Sequence, residues 1–143
     1  MRENYRDRAV VIRTYDFREA DRVIVLLTRD HGLVRAVAKG VRRAKSRFGS
    51  RLQLFVNLDV QLYVGKNLAT ISQADTVDYF GARLIEDYER YTAACAVLES
   101  AERLAFADAD HDPYLYESVT ATLGQLQTCL LYTSPSPRDG LLS

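Results

Sequence analysis

The stretch LQLFVNLDVQLYV, residues 52–64, alternates between two kinds of position along its whole length. Its even-numbered positions are all leucine or valine: Leu52, Leu54, Val56, Leu58, Val60, Leu62 and Val64. Successive side chains of a β-strand point to opposite faces, so this period of two predicts a strand with one buried face. Phe55 and Tyr63 fall on the other face, where we expect helices to cover them.

Segments on both sides of this stretch have the β-branched composition of strands. Further strands are predicted at residues 8–15, 22–29, 33–38 and 68–78. Gly32 lies between the second and third of the five strands, where a turn requires a residue that tolerates positive φ. Residues 65–67 (GKN) supply a second tight turn, before the last strand.

After residue 79 the apolar spacing changes from two to three or four. This spacing predicts an amphipathic helix that ends near Ala107, with an apolar stripe formed by Leu84, Tyr88, Tyr91, Cys95 and Leu98. We expect its tyrosines to pack against the strands. A second helix is predicted to begin at Asp112 as N-cap and Pro113 as the first helical residue. Its apolar stripe is Leu115, Val119, Leu123 and Leu126.

The order of these elements predicts an α+β chain: a five-stranded OB-fold β-barrel over residues 1–80 and the start of a helical domain over residues 81–128. The OB-fold binds oligonucleotides with strands two and three and with the loops joining strands 1–2 and 4–5. Here those loops are residues 16–21 and 65–67.

Residues 129–143 do not continue the helical pattern. Pro135 and Pro137 exclude an ordinary helix, and the stretch resembles an adapter-derived tail. We therefore expect the authentic protein sequence to stop near Thr128, with a C-terminal part missing. The alternative is a natural disordered tail.

The formal net charge of zero hides an asymmetry between the two halves of the chain. Residues 1–82 hold 15 Lys and Arg against 9 Asp and Glu, and residues 83–143 hold 4 against 10. A basic half is a candidate for nucleic-acid contact. Without a signal peptide or an apolar run that could span a membrane, we expect a cytoplasmic protein with no membrane partner. Cys95 and Cys129 have no metal or redox spacing.

The strongest concentration of charge is KGVRRAKSRFGSR, residues 39–51, called here the basic segment. It holds no acid and six cations: Lys39, Arg42, Arg43, Lys45, Arg47 and Arg51. Cations at this density repel one another unless an anion compensates them, and a polyphosphate backbone does so. Phe48 is a candidate to stack on a base or to plug the barrel. Arg35, on the third strand, faces the ligand groove or pairs with a nearby acid. A merely solvated loop is the alternative for the whole segment.

Enzymatic chemistry has little support in the sequence. His31 and His111 are isolated residues in predicted loops, and no phosphate-binding glycine loop, zinc motif or catalytic serine motif occurs. We expect no catalytic residue, no metal ligand and no cofactor.

Residues 8–51 resemble the N-terminal domain of the bacterial RecO family. The resemblance lies in RAVVIRTY, in the Glu19-Ala20-Asp21 step into RVIVLLT, and in the run AVAKGVRRAKSR. The combination of Lys39-Gly40 with Arg42-Arg43 is its most specific part. The likeness extends to about Thr128, since the strand at residues 52–63 and the helix after Phe80 also match in position.

The resemblance implies an OB-fold and a DNA repair and recombination mediator. Such a protein binds single- and double-stranded DNA, anneals complementary strands, and assists RecA loading on strands coated by single-strand-binding protein. RecR is the implied partner, sometimes with RecF. Lys39, Arg42, Arg43 and Arg47 would inherit the DNA-contacting role. Many members carry a cysteine zinc site in the helical part, and this chain has no such cluster. The alternatives are a general OB-fold module for RNA or other oligonucleotides and a purely structural interaction domain.

Overall fold

The structure, a computed structural model, describes residues 4–42, 51–107 and 112–128. Within these ranges the chain forms β1 (Asn4–Phe17), β2 (Asp21–Thr28), β3 (Leu33–Ala38), β4 (Val56–Tyr63), β5 (Ala69–Tyr79), α1 (Gly81–Leu84), α2 (Tyr88–Ala107) and α3 (Pro113–Thr128). The predicted α+β composition, with strands first and helices after them, is confirmed.

The five strands close into a barrel in the order β1-β2-β3-β5-β4. All neighbouring pairs are antiparallel except β3 and β5, which run parallel over a short contact. The long β1 closes the ring by pairing with β4 through its first half and with β2 through its second half. Its ladder with β2 is interrupted between Val11 and Arg13, the kind of irregularity that bends a strand. The predicted five-stranded OB-type arrangement is confirmed.

The alternation in β4 sorts its side chains as the sequence predicts. Its Leu and Val residues lie inside the barrel: Val56, Leu58, Val60 and Leu62. The strand is shorter than predicted, however, because Phe55 has a φ of 68° and turns the chain before the ladder begins. Leu52 is still buried in the barrel core, whereas Val64, past the end of the strand, is 49% exposed.

Strands β1 and β2 are buried on both of their faces. Val11, Ile24 and Leu26 point into the barrel, while Val10 and Val25 contact the helices. This double burial explains why the sequences AVVI and VIVLL are continuously apolar instead of alternating. Phe55 joins the same outer cluster, so its predicted cover by helices is confirmed.

The single helix predicted before Ala107 is wrong in one respect, because the chain breaks between α1 and α2. Asp87 restarts the helix, and its Oδ1 accepts hydrogen bonds from the backbone N–H groups of Glu89 (3.0 Å) and Arg90 (3.4 Å). The buried stripe of α2 consists of Ala94, Leu98 and Ala101, with Cys95 packed against it, so Leu98 and Cys95 lie on the predicted face. Tyr88, now the first residue of α2, is 81% exposed, and its predicted place in the core is wrong. Tyr91 is 37% exposed and meets the Phe55 ring edge-on at 5.7 Å.

Helix α3 begins as predicted. Asp112 Oδ1 accepts a hydrogen bond from the Tyr114 backbone N–H at 2.9 Å, and Val119 and Leu123 of the predicted stripe are buried. A polar contact also attaches α3 to β4, because the buried Tyr116 hydroxyl donates to Asn57 Oδ1 at 2.8 Å. No helix in the described ranges combines the length and the apolar character that crossing a membrane requires.

Candidate nucleic-acid interface

Strand β3 and the turn that follows it carry two of the predicted DNA-contacting residues. Ala36 and Ala38 point into the barrel and are fully buried. The pleat therefore directs Arg35 outward, whereas Lys39 lies in the turn that directly follows the strand; both are exposed. They form the described part of a basic edge.

Arg42 is held by the loop between β1 and β2. Its backbone N–H donates to the Ala20 carbonyl at 3.0 Å, and its guanidinium donates to the carbonyls of Arg18 at 3.5 Å and Glu19 at 3.4 Å. Its Nη2 also lies 3.5 Å from Asp16 Oδ2, and 35% of the Arg42 side chain is exposed. These contacts bring the start of the basic segment against the predicted 1–2 binding loop. They also occupy part of the hydrogen-bonding capacity of Arg42.

Acids that flank this loop, at the end of β1 and at the start of β2, compensate part of this charge. Asp16 is shared between Arg42 and Arg22, whose guanidinium lies 3.2 Å from Asp16 Oδ1. Asp21 accepts a hydrogen bond from the Gly40 backbone N–H at 2.8 Å. The acids therefore fix the path of the chain after β3 rather than neutralising every cation there.

Arg18 adds a cation that the sequence argument did not single out. It adopts a φ of 55°, its guanidinium lies 4.8 Å from the centre of the Phe17 ring, and its side chain is exposed. A positive φ is uncommon at a non-glycine residue. No signal in the sequence indicated this conformation of Arg18 or the direction of its side chain.

Of the remaining predicted DNA-contacting residues, one is described by the structure and the others are not. Arg51 is exposed at the far end of the basic segment, just before the buried Leu52. Arg43, Lys45, Arg47 and Phe48 lie outside the described residues, as does His111. The structure thus brings Lys39 and Arg42 together with the β1–β2 loop and puts Arg35 farther along the same strand.

A groove of about 640 Å³ lies beyond Arg35. The outer edge of β3, the β4–β5 loop and the end of α2 form its walls, and its lining includes Tyr5, His31, Arg35, Leu68, Glu102 and Phe106. The β4–β5 loop is one of the two loops predicted to bind a ligand. The groove itself escaped the sequence argument because its walls come from segments far apart along the chain.

One wall of the groove is fixed by the buried carboxylate of Asp7. That carboxylate accepts hydrogen bonds from the backbone N–H groups of Arg8 (2.8 Å) and Asp30 (3.1 Å) and lies 2.7 Å from His31 Nδ1. A carboxylate only accepts, so Nδ1 carries the hydrogen of the imidazole. The His31 ring packs on Tyr5, with 4.1 Å between the ring centres. Burial, and then the nearby Asp7 charge, raise the pKa of Tyr5. His31 is exposed in the turn after β2, as expected, but it is not isolated, because Asp7 and Tyr5 fix the position of its ring.

Helix α2 forms the opposite wall. The Arg13 guanidinium of β1 makes a two-pronged ion pair with Glu102, at 2.8 Å for Nη2 and 3.1 Å for Nε, and this hydrogen bonding raises the pKa of Arg13. Phe106, near the end of the helix, is 83% exposed. The groove thus combines a neutralised charge pair with exposed aromatic surface.

The comparison with protein families gives one match. The family described as "Recombination protein O N terminal" matches residues 1–80 of this chain. The matched range contains all five strands of the barrel and ends at Phe80, just before α1.

Proposed function

Because this chain belongs to the recombination protein O family, whose members act in DNA repair and recombination, we propose that it binds DNA through the outer edge of its barrel and mediates strand annealing. The cations concerned are Arg35, Lys39, Arg42 and the remainder of the basic segment. They bind phosphates, so the interaction is independent of base sequence.

The observation that carries this proposal is the outward display of Lys39. It follows the last inward-facing residue of β3 and is exposed, and three residues later the β1–β2 loop holds the Arg42 guanidinium. Five more cations follow within twelve residues, from Arg42 to Arg51, without an acid among them. A polyanion that neutralises such a row releases condensed counterions, which favours binding.

Annealing follows from the same electrostatics. Two DNA strands repel each other through their phosphates, and a cationic surface that binds both lowers this repulsion. The complementary bases then pair without help from the protein. No bond of the DNA is made or broken, so the proposal includes neither catalytic turnover nor a nucleotide cofactor.

The zinc site of many family members has no counterpart among the described residues. In that part of the chain no three His, Cys, Asp or Glu side chains converge as metal ligands.

The partners proposed for this activity are RecR, single-strand-binding protein and, through them, RecF and RecA. Loading RecA requires access to a strand that is already coated. A surface that binds phosphates and leaves the bases exposed is compatible with such an exchange. Support for these partners comes from family membership alone.

Removing two cations of the basic segment, one of them the exposed Lys39, tests the proposal. We expect Lys39→Ala with Arg43→Ala to weaken binding to single-stranded and duplex DNA of several unrelated sequences by a similar factor. Fluorescence anisotropy with labelled oligonucleotides measures this. The matched control is Arg83→Ala with Arg103→Ala, which removes the same charge from two exposed positions on the helices.

Equal losses in the two double variants would show that only total charge matters and would contradict the assignment to the basic segment. Unchanged affinity in the first variant would contradict it as well. A clear preference of the wild-type chain for structured RNA would favour a general RNA-binding module instead.

A further inference from the structure

The groove beside β3 has the size and the position of a ligand site. Its volume of about 640 Å³ falls within the range of roughly 300–1,000 Å³ that is usual for such sites. Strands two and three and the loop between strands four and five are the parts of an OB-fold that contact oligonucleotides. Here α2 adds a wall to that surface, which turns the open face into the groove.

The lining of the groove offers aromatic rings that are accessible to a ligand. Phe106 is 83% exposed although it is fully apolar. The Tyr5 and His31 rings contact each other at a tilt of 33°, with 4.1 Å between their centres, and the buried Asp7 carboxylate holds the imidazole in place. Every nucleobase has a π-face, so rings of this kind bind unpaired bases with little regard to sequence.

The charges in the groove suit a neutral base better than a phosphate. Arg13 and Glu102 neutralise each other in a two-pronged pair. Asp112 is engaged in capping α3. Arg35 is exposed at β3, and Lys66 is exposed in the β4–β5 loop. An exposed cation and exposed aromatic surface along one groove match a nucleotide whose phosphate pairs with Arg35 and whose base stacks on an aromatic ring.

We propose that this groove is a single-strand subsite, in which an unpaired nucleobase stacks on Phe106. The proposal rests on the DNA binding proposed above and adds a means of choosing between strands. Bases of a duplex are already stacked and paired, so only a single strand can insert one. The basic segment then binds either form, and the groove favours the single strand.

Phe106→Ala tests the groove with little risk to folding, because the ring is mostly exposed. We expect the variant to bind an oligodeoxythymidine about 5- to 150-fold more weakly, the loss that one base stack gives, and to bind a blunt duplex as the wild-type chain does. Leu104→Ala, another exposed apolar residue of α2 (61%), is the matched control and should bind both as the wild-type chain does.

Phe106→Trp supplies a second readout. The chain contains no tryptophan, so the new indole is a unique fluorophore. We expect oligodeoxythymidine to quench its fluorescence, and an abasic oligomer of the same length, which keeps the phosphates, to leave it unquenched. Affinity for oligodeoxythymidine should remain close to that of the wild-type chain because the aromatic face is retained.

Three results would overturn the proposal. If the wild-type chain binds DNA and Phe106→Ala binds oligodeoxythymidine equally well, the groove is not a subsite, and the proposed DNA binding by the basic segment is unaffected. Equal weakening on single strand and duplex would refute strand selectivity. Weaker self-association of Phe106→Ala in sedimentation, with DNA binding intact, would assign the groove to a second copy of the chain. Failure of the wild-type chain to bind any DNA would instead refute the proposed function itself.

Discussion

The hydroxyl of Tyr116 provides the sharpest test of how the helices attach to the barrel. Tyr116 is 6% exposed and donates to Asn57 Oδ1 at 2.8 Å, and Asn57 is itself 4% exposed. Tyr116→Phe leaves that buried acceptor without its donor, which costs about 1–3 kcal/mol. For a chain of this size we expect Tm to fall by about 2–4 °C for each kcal/mol. Urea unfolding at pH 8 measures the free energy directly.

The pH dependence of this difference gives an independent check. Burial raises the pKa of Tyr116 above its ordinary value of 10.0. The unfolded phenol therefore loses its proton first, and the stability contributed by the neutral buried phenol is complete below pH 10 and is lost as pH rises through the folded pKa. We expect the difference in free energy of unfolding between the wild-type chain and Tyr116→Phe to become smaller above pH 10.

The matched control is Tyr114→Phe on the same helix, where the tyrosine is 72% exposed. It should change stability by less than about 0.5 kcal/mol, as exposed substitutions usually do. Equal effects of the two substitutions at pH 8, or a gap that stays constant through pH 11, would refute the attachment of α3 through Tyr116.

Two pairs of substitutions, each with its control, test the β4–β5 turn and the contacts of Asp7. Gly65→Ala should destabilise the chain by about 1–3 kcal/mol, because a Cβ there would collide with the Leu68 carbonyl oxygen. Its control is Gly124→Ala in α3, which has its nearest neighbour at 3.8 Å and should stabilise the helix by about 0.5–1 kcal/mol. The reverse order of the two variants in thermal unfolding would count against the turn geometry. Asp7→Asn should lower the free energy of unfolding by about 1–3 kcal/mol for each buried donor that loses its acceptor. Asp30→Asn, at an exposed position, is the control and should change the free energy of unfolding little. Equal urea midpoints of these two variants would contradict the role of Asp7.

Local patterns in the sequence predicted the barrel well. Strict alternation at residues 52–64 identified the inward face of β4, and Gly32 adopts the expected positive φ of 71°. Asp112 and Pro113 marked the start of α3 because an N-cap depends only on neighbouring residues. Each of these features depends only on residues that are close together in the sequence.

The failures had two causes, an overlooked helix cap and contacts between distant residues. Tyr88 was expected in the core from its spacing, but the cap at Asp87 makes it the exposed first residue of a new helix. That cap was detectable, since an aspartate directly before the first helical residue is a common N-cap. The partnership of Asp7 with His31 joins residues 24 positions apart, and no local pattern predicts it. The apolar runs of β1 and β2 did signal burial on both faces, and hence a helical cover, but short apolar runs are ambiguous in sequence alone.

The salt dependence of DNA binding tests the central claim most directly. Each phosphate neutralised on a single strand contributes about 0.7 to the slope of log affinity against log salt, so the six cations of the basic segment set an upper bound of about 4. We expect the wild-type chain to show a slope of about 2–4 in magnitude, and Lys39→Ala with Arg43→Ala to lower it by about 1.4. A slope near zero in the wild-type chain, or an identical slope in the double variant, would contradict binding through the basic segment.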